Sequence, residues 1–108
     1  MKFNVIPSDK FKKEVKRLIK KFPSLKQELT ELNAILEKEP ATGTPLGNET
    51  YQIRIAIKSK GKGKSGGARV ITYRVTENKE VYLLTIYDKS EFDSIDNKII
   101  RTIIDSLN

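Results

Sequence analysis

The 108-residue sequence contains no cysteine, no histidine and no tryptophan. Without cysteine the chain has no disulfide, no thiolate metal site and no thiol nucleophile, which is typical of a reducing compartment. Without histidine it lacks the side chain that most often acts as general acid or base near neutral pH. No apolar run approaches the roughly 20 residues of a membrane-spanning helix, and the N-terminus lacks the apolar region of a signal peptide. We therefore predict a cytoplasmic protein with no membrane partner.

Positive charge is concentrated in one part of the chain. The sequence has 21 Lys and Arg against 14 Asp and Glu, a net charge of +7. The segment 58–74, KSKGKGKSGGARVITYR, holds six of these cations and no acid, and the rest of the chain has 15 cations against 14 acids. Because concentrated like charge repels itself unless something neutralises it, this segment indicates a polyanionic partner. The alternative is a basic loop that serves solubility alone.

The N-terminal half is patterned as one strand and two helices. An apolar run at 3–6 suits a strand, and helical spacing of apolar residues follows from Ser8, the predicted N-cap. A second helix begins at Ser24, which with Gln27 matches a capping box. The Pro, Gly and Thr content of 39–48 predicts a loop.

In the C-terminal half the hydrophobic period becomes two. Strands are predicted at 51–57, 68–75 and 81–87, and the last of them is apolar on both sides, which indicates a central position in a sheet. A final amphipathic helix follows, with Asp88 or Ser90 as its predicted N-cap.

These elements predict an α+β fold in the order β-α-α-β-β-β-α, within a single domain spanning 1–108. Short links between the last three strands favour an antiparallel meander, in a sheet of about four strands. We expect the two N-terminal helices and the C-terminal helix to cover one face of the sheet and to leave the other face open.

The glycine- and lysine-rich part of the basic segment resembles a nucleotide-binding loop only superficially. That motif needs a glycine five residues before the glycine of G-K-S and a helix after it, whereas this chain has Lys58 there and a strand pattern follows. We predict a hairpin tip whose lysines reach several phosphates of a polyanion as mobile point charges. These lysines, which the family resemblance given below makes RNA-binding residues, are Lys58, Lys60, Lys62 and Lys64.

Three further cations are candidates for catalysis. Arg69 stands where the basic loop becomes a strand, which suits a precise bidentate phosphate contact. Arg54 lies on the polar side of the preceding strand, and Lys89 follows the last strand. In a meander these three side chains can converge at one end of the sheet or on its open face. Alternatively, they are scattered surface charges.

A nuclease without histidine must use lysine, arginine, tyrosine or borrowed groups. A lysine among other cations can have a lowered pKa and act as a base, while arginines stabilise a pentacovalent phosphate. The acids near the last helix have no recognised metal-ligand spacing, and we expect them to complement the helix dipole. We therefore predict no metal and no small-molecule cofactor. These acids are Asp88, Glu91, Asp93 and Asp96.

The segments KGKGKSGGARVITY and VYLLTIYDKSE, with the order of elements over nearly the whole chain, resemble the RelE/HigB branch of the RelE/ParE superfamily of bacterial type II toxins. The resemblance implies a ribosome-dependent mRNA endonuclease, in which the ribose 2′-hydroxyl attacks the adjacent phosphate and the 5′-oxygen leaves. It also implies three partners, namely a cognate antitoxin protein, the ribosome and mRNA.

The resemblance also assigns residues. Arg69 matches the family arginine of the G-x-R-hydrophobic strand, Arg54 a cation on the preceding strand, and Lys89 a cation just after the last strand. Gln52 departs from a neighbouring lysine position, and Phe92 is the only aromatic residue after Lys89, where relatives often have a tyrosine or histidine.

Two alternatives remain open from the sequence. The ParE branch shares the fold and inhibits DNA gyrase without cutting RNA, and the missing histidine and C-terminal tyrosine permit that function. A degenerate toxin that only binds RNA or its partner is the second alternative.

Overall fold

The computed structural model describes residues 2–61, 66–92 and 94–107. The predicted contacts of Lys62 and Lys64 with RNA, and the predicted place of Asp93, lie outside the described residues. In the described ranges, no helix combines the length and apolar character that crossing a bilayer requires. In chain order the elements are strand β1 (Asn4–Pro7), helices α1 (Asp9–Lys21) and α2 (Leu25–Lys38), strands β2 (Thr44–Gly47), β3 (Thr50–Ile55), β4 (Ala68–Val75) and β5 (Glu80–Asp88), and helix α3 (Asn97–Asp105).

The strands form a mixed sheet in the order β1-β5-β4-β3-β2. The predicted meander of β3, β4 and β5 is confirmed, because both of its pairings are antiparallel. Strand β1 pairs in parallel with the edge of β5 that β4 leaves free, with Val5 opposite Val81. This pairing confirms that β5 is an interior strand, flanked by neighbours on both sides.

Strand β2 lies within the segment 39–48, which was predicted to be a loop only. It forms a hairpin with β3 through Asn48 and Glu49, whose φ angles are 52° and 63°. Two successive residues in the left-handed region form the tight turn whose twist matches that of paired strands. The local sequence does not predict β2, because proline and glycine are both depleted in strands. Proline is tolerated here because β2 is an edge strand.

The helices cover both faces of the sheet, so the prediction of one open face was wrong. Helices α1 and α2 pack on one face, where the main core includes Phe11, Leu18, Leu25, Leu36, Ile53, Ile55, Val70, Leu83 and Ile86. Helix α3 packs on the opposite face, where a second cluster contains Ile71, Leu84, Tyr87, Ile100 and Ile103. The physical reason is that β5 is apolar on both sides, and each apolar side needs cover from water.

One of the two predicted helix N-caps in the N-terminal half is present. The Ser8 Oγ accepts a hydrogen bond from the Phe11 amide at 3.1 Å, as an N-cap should. Ser24 makes no side-chain cap, so the predicted capping box was wrong. Instead, Ser24 Oγ accepts from the Ser59 amide at 2.9 Å, and the Ser24 amide donates to Ser59 Oγ at 2.7 Å.

Helix α3 begins later than predicted. Its N-cap is Asp96, whose carboxylate accepts from the Lys98 amide at 2.9 Å. Asp88 and Ser90 therefore do not cap this helix, and Glu91 does not lie in its first turn. Asp88 ends β5 with no exposed surface, and its carboxylate has a different partner that is described below.

A bulge in β5 is stabilised from helix α1. The register of β4 against β5 shifts at Ile71 and Thr72, so that Leu84 has no partner residue of its own. The Glu14 Oε1 atom accepts hydrogen bonds from the Thr85 hydroxyl at 2.7 Å and from the Ile86 amide at 3.2 Å. The helix thereby satisfies polar groups at the irregular part of the strand.

We expect Glu14→Ala to reduce the free energy of unfolding by about 1–3 kcal/mol, because two buried donors of β5 lose their acceptor. The matched variant Lys10→Ala removes only the exposed partner of Glu14 on the same helix, 2.7 Å away. It should cost less than about 0.5 kcal/mol. Urea unfolding of both variants measures the difference, and equal costs would contradict this account of the bulge.

Candidate functional site

Two arginines and a tyrosine form a row across the central strands. Arg54 on β3 lies directly opposite Arg69 on β4, and Arg69 lies directly opposite Tyr87 on β5. Ile53 and Ile55 belong to the core under α1 and α2. Since side chains alternate along a strand, Arg54 and its row project on the α3 side of the sheet.

Lys89 extends this row beyond the end of β5. Its amide donates to the carbonyl of Gly67 at 3.0 Å. This bond continues the ladder one step beyond Ala68 and Asp88, the pair at this end of β4 and β5. Burial raises the pKa of Tyr87, and the charges of Arg69 and Lys89 act in the opposite direction without reversing the rise. Both cations are therefore near the Tyr87 phenol, and the structure brings Arg54, Arg69 and Lys89 together on one face.

The two arginines of the row and the aromatic ring beside it differ in exposure to solvent. Arg54 is exposed, and within the described ranges it makes no ion pair. Arg69 is only 4% exposed, and its Nη1 donates to the carbonyl of Ala68 at 3.2 Å. Phe92 is 56% exposed, and its ring stands edge-on to Tyr87 with 6.3 Å between the centroids. The chain after β5 thus turns back over one end of the row.

The start of the basic segment is anchored to helix α2. A single 3-10 turn at Lys58–Lys60 follows β3, and the Lys58 amide donates to Glu28 Oε2 at 2.7 Å. Glu28 is buried, so this acceptor is held in a defined position. The Lys58 side chain is exposed, as its predicted contact with RNA requires.

Lys60 is engaged within the protein. Its ammonium forms an ion pair with Asp88, donates to Ser90 Oγ at 3.1 Å and lies 5.5 Å from the centroid of the Phe22 ring. The side chain of Lys60 is 11% exposed, and that of Asp88 has no exposed surface. The predicted binding of RNA by Lys60 stays a prediction, but this geometry is not that of a mobile surface charge.

Asp88 is held ionised in a buried position. Burial by itself raises its pKa, but hydrogen bonds from Lys60 and from the amide and hydroxyl of Ser90 outweigh that effect and leave the pKa lowered. The two Ser90 bonds, of 2.9 and 2.8 Å, reach the same oxygen as the Lys60 ammonium. In the described part of the chain, the other oxygen has no hydrogen-bond partner.

The sequence did not single out Tyr87 or the pair of Lys60 and Asp88. Tyr87 carries no signal of its own in the sequence, because its place beside Arg69 depends on the strand register. Asp88 was assigned to a helix cap, and Lys60 to the RNA contacts. Their separation of 28 residues carries no local signal.

The described residues contain no group of three or more Asp or Glu side chains that could hold a metal ion. The strand order, the placement of helices on both faces and the order β-α-α-β-β-β-α define the RelE-like α+β fold.

No protein-family model matches the sequence. Among solved structures, the chain is similar to the free E. coli toxin RelE, determined as a variant with two arginines replaced by alanine. The TM-score is 0.66 over 100% of both chains, and the sequence identity is 13%. This likeness establishes the fold.

We expect Asp88→Asn to lower the free energy of unfolding by about 1.5–3 kcal/mol at pH 7, since bonds to a charged group are replaced by bonds to an amide. The pKa of Asp88 in the folded chain lies below its ordinary value of 3.8. The stabilisation is therefore complete above that value and is lost as the pH falls through the folded-state pKa. Urea unfolding at pH 7, 5, 4 and 3 measures this convergence of wild type and variant.

The control is Glu91→Gln, which removes an exposed ion pair with Arg17 at 3.3 Å. Its effect at pH 7 should stay below about 1 kcal/mol. A stability difference between wild type and Asp88→Asn that is the same at pH 7 and pH 3 would exclude an ionised, stabilising Asp88.

Proposed function

We propose that this protein is the toxin of a type II toxin–antitoxin system and that it cleaves mRNA on the ribosome. The proposal rests on three cations, Arg54, Arg69 and Lys89, which lie together on one face of a RelE-like sheet and are called the cationic row below. In this proposal, 1–108 acts as one toxin domain in the cytoplasm.

The row has the chemistry of a phosphate site. Arg54 and Arg69 lie directly opposite each other on neighbouring strands, so that one phosphate can lie beside both guanidinium groups. Such a phosphate accepts charge-assisted hydrogen bonds from them. Strands hold these side chains more rigidly than loops do, which is what precise phosphate recognition needs.

The proposed reaction is an internal transfer of the phosphate. The ribose 2′-oxygen forms a bond to phosphorus, the bond from phosphorus to the 5′-oxygen breaks, and a 2′,3′-cyclic phosphate and a 5′-hydroxyl result. Arg54, Arg69 and Lys89 stabilise the extra negative charge of the pentacovalent state. Because its pKa is raised, Tyr87 stays a protonated phenol at neutral pH and can donate a hydrogen bond, but it cannot accept the 2′ proton as a base.

The exposures suggest an order of contact. Lys58 and Arg54 are exposed and meet the RNA backbone first, by electrostatic attraction. Arg69 is 4% exposed, so a phosphate that reaches it must displace part of what covers it. Phe92, the exposed aromatic ring beside Tyr87, offers a surface on which a base can stack.

The proposed antitoxin needs a surface of its own on the toxin. A groove of about 510 Å³ between α1 and α2 has Phe11, Val15 and Leu29 among its apolar lining residues, and Lys12 and Lys16 also line it. An apolar floor with cations beside it fits an amphipathic segment that carries acidic residues. This surface is on the opposite side of the sheet from the cationic row.

We expect ribosome-dependent cuts in a defined message, mapped by primer extension in a reconstituted translation system. Arg69→Ala should lower the cleavage rate about 10²–10³-fold, as the loss of one donor to a developing oxyanion does. Arg74→Ala is the matched control, because it is an arginine of the same strand that pairs instead with Glu49 at 2.8 Å. It should leave cleavage unchanged.

Arg69 is buried, so circular dichroism must verify that Arg69→Ala is folded, and the exposed Arg54→Ala serves as the second variant. If wild type, Arg54→Ala and Arg69→Ala all cleave at the same rate, the cationic row has no part in the mechanism. An uncut message in every reaction would refute the nuclease. Inhibition of gyrase supercoiling in parallel assays would then identify a ParE-like inhibitor, and its absence would leave a protein that only binds.

A further inference from the structure

The end of β5 contacts the basic segment near Lys60 and again at Gly67. The Lys60 ammonium pairs with Asp88, the same ammonium donates to Ser90 Oγ at 3.1 Å, and the Lys89 amide donates to the Gly67 carbonyl at 3.0 Å. Lys89 thus stands between two residues that Lys60 holds. Its place in the cationic row depends on how firmly this short segment is fixed.

Gly67 gives the Lys89 amide a rigid acceptor. A side chain at Gly67 would clash with the backbone oxygen of Ile55, so the chain here lies directly against β3. The Gly67 carbonyl therefore has little freedom to follow Lys89 if the segment after β5 moves. Lys60 holds the residues on either side of Lys89 and can keep the segment in register with that acceptor.

Lys58 and Lys60 are chemically identical neighbours with different environments. Lys58 is exposed, whereas the Lys60 side chain is 11% exposed and its charge is neutralised by a buried carboxylate. A phosphate contact from Lys60 would break this pair and leave the Asp88 carboxylate buried without its counterion, which is costly. The two lysines therefore cannot have the same role.

We propose that Lys60 is a positioning residue, whose ion pair with Asp88 holds Lys89 beside Arg69 in the cationic row. The role of the row in cleavage rests on the proposed function, whereas the positioning of Lys89 is a property of the folded chain and can be tested without RNA.

The first experiment is amide hydrogen exchange of Lys89, measured by NMR in wild type, Lys60→Met and Lys58→Met. Both substitutions remove one positive charge from the same turn. Lys60→Met should reduce the protection of the Lys89 amide at least about tenfold, because local opening becomes easier. Lys58→Met should leave it unchanged.

Core amides, such as that of Val70 in the central strand β4, report global stability in the same spectra. A loss of protection at Lys89 that is no larger than the loss at these core amides would overturn the proposal, because Lys60 would then act only through the stability of the whole fold. Lys60→Arg, which keeps the charge, should restore part of the protection at Lys89.

The second experiment measures the binding of a single-stranded RNA oligonucleotide as a function of salt. A lysine that contacts phosphate reduces the salt slope by about 0.7 when it is removed, as expected for Lys58→Met. Lys60→Met should keep the wild-type slope and still lower the rate of single-turnover cleavage on the ribosome. A reduced slope for Lys60→Met would make Lys60 an RNA contact and overturn the proposal.

The two experiments separate the proposal from the function on which it draws. If the wild-type protein neither binds nor cleaves RNA, the proposed function fails. The exchange of the Lys89 amide still decides whether Lys60 positions the end of β5.

Discussion

The structure depends on β5, an interior strand that is apolar on both faces. Its pairing with β4 sets the register of the row, and its parallel pairing with β1 brings the N-terminus into the sheet. Because water must be excluded from both faces, α1 and α2 cover one and α3 covers the other. Each buried Leu or Ile side chain in these layers stabilises the fold by about 1.5–3 kcal/mol. Glu14 adds the polar contacts that permit a bulge in this strand.

The same strand connects the core to the cationic face. Tyr87 is part of the α3 cluster and also the neighbour of Arg69, so packing of the helix fixes one side of the row. The next residue, Asp88, points to the other side and pairs with Lys60. One short stretch of chain therefore links the hydrophobic core, the proposed RNA site and the base of the basic segment. Of the lysines of that segment within the described residues, Lys58 is exposed and Lys60 is paired with Asp88.

Much of the fold could be predicted from local patterns. The bounds of β4 follow from the period-two hydrophobic pattern of 68–75. The N-cap Ser8 follows from its place as a polar residue just before an amphipathic helical run. The hairpin strand β2 could not be predicted in this way, because proline and glycine oppose strand propensity and only the tight turn after it allows pairing. The Ser24 hydroxyl bonds to Ser59, a partner 35 residues away, in place of the local cap. Helix α3 covers the second apolar face of β5 with its own apolar stripe. A local sequence pattern shows that the helix has such a stripe, but it does not show which face of the sheet the stripe covers.

By itself, the sequence determined the order and type of the main elements, the concentration of charge in one segment, and the candidates Arg54, Arg69 and Lys89. Meander pairing then made Arg54 and Arg69 neighbours. Only the tertiary structure decided that Arg69 is buried, that Tyr87 stands beside it and that Lys60 neutralises Asp88. The physical reason is that periodicity reports which face of an element is apolar, whereas burial and ion pairing depend on which distant segment lies against that face. Register and packing supply that information, and both arise from contacts between residues far apart in the chain.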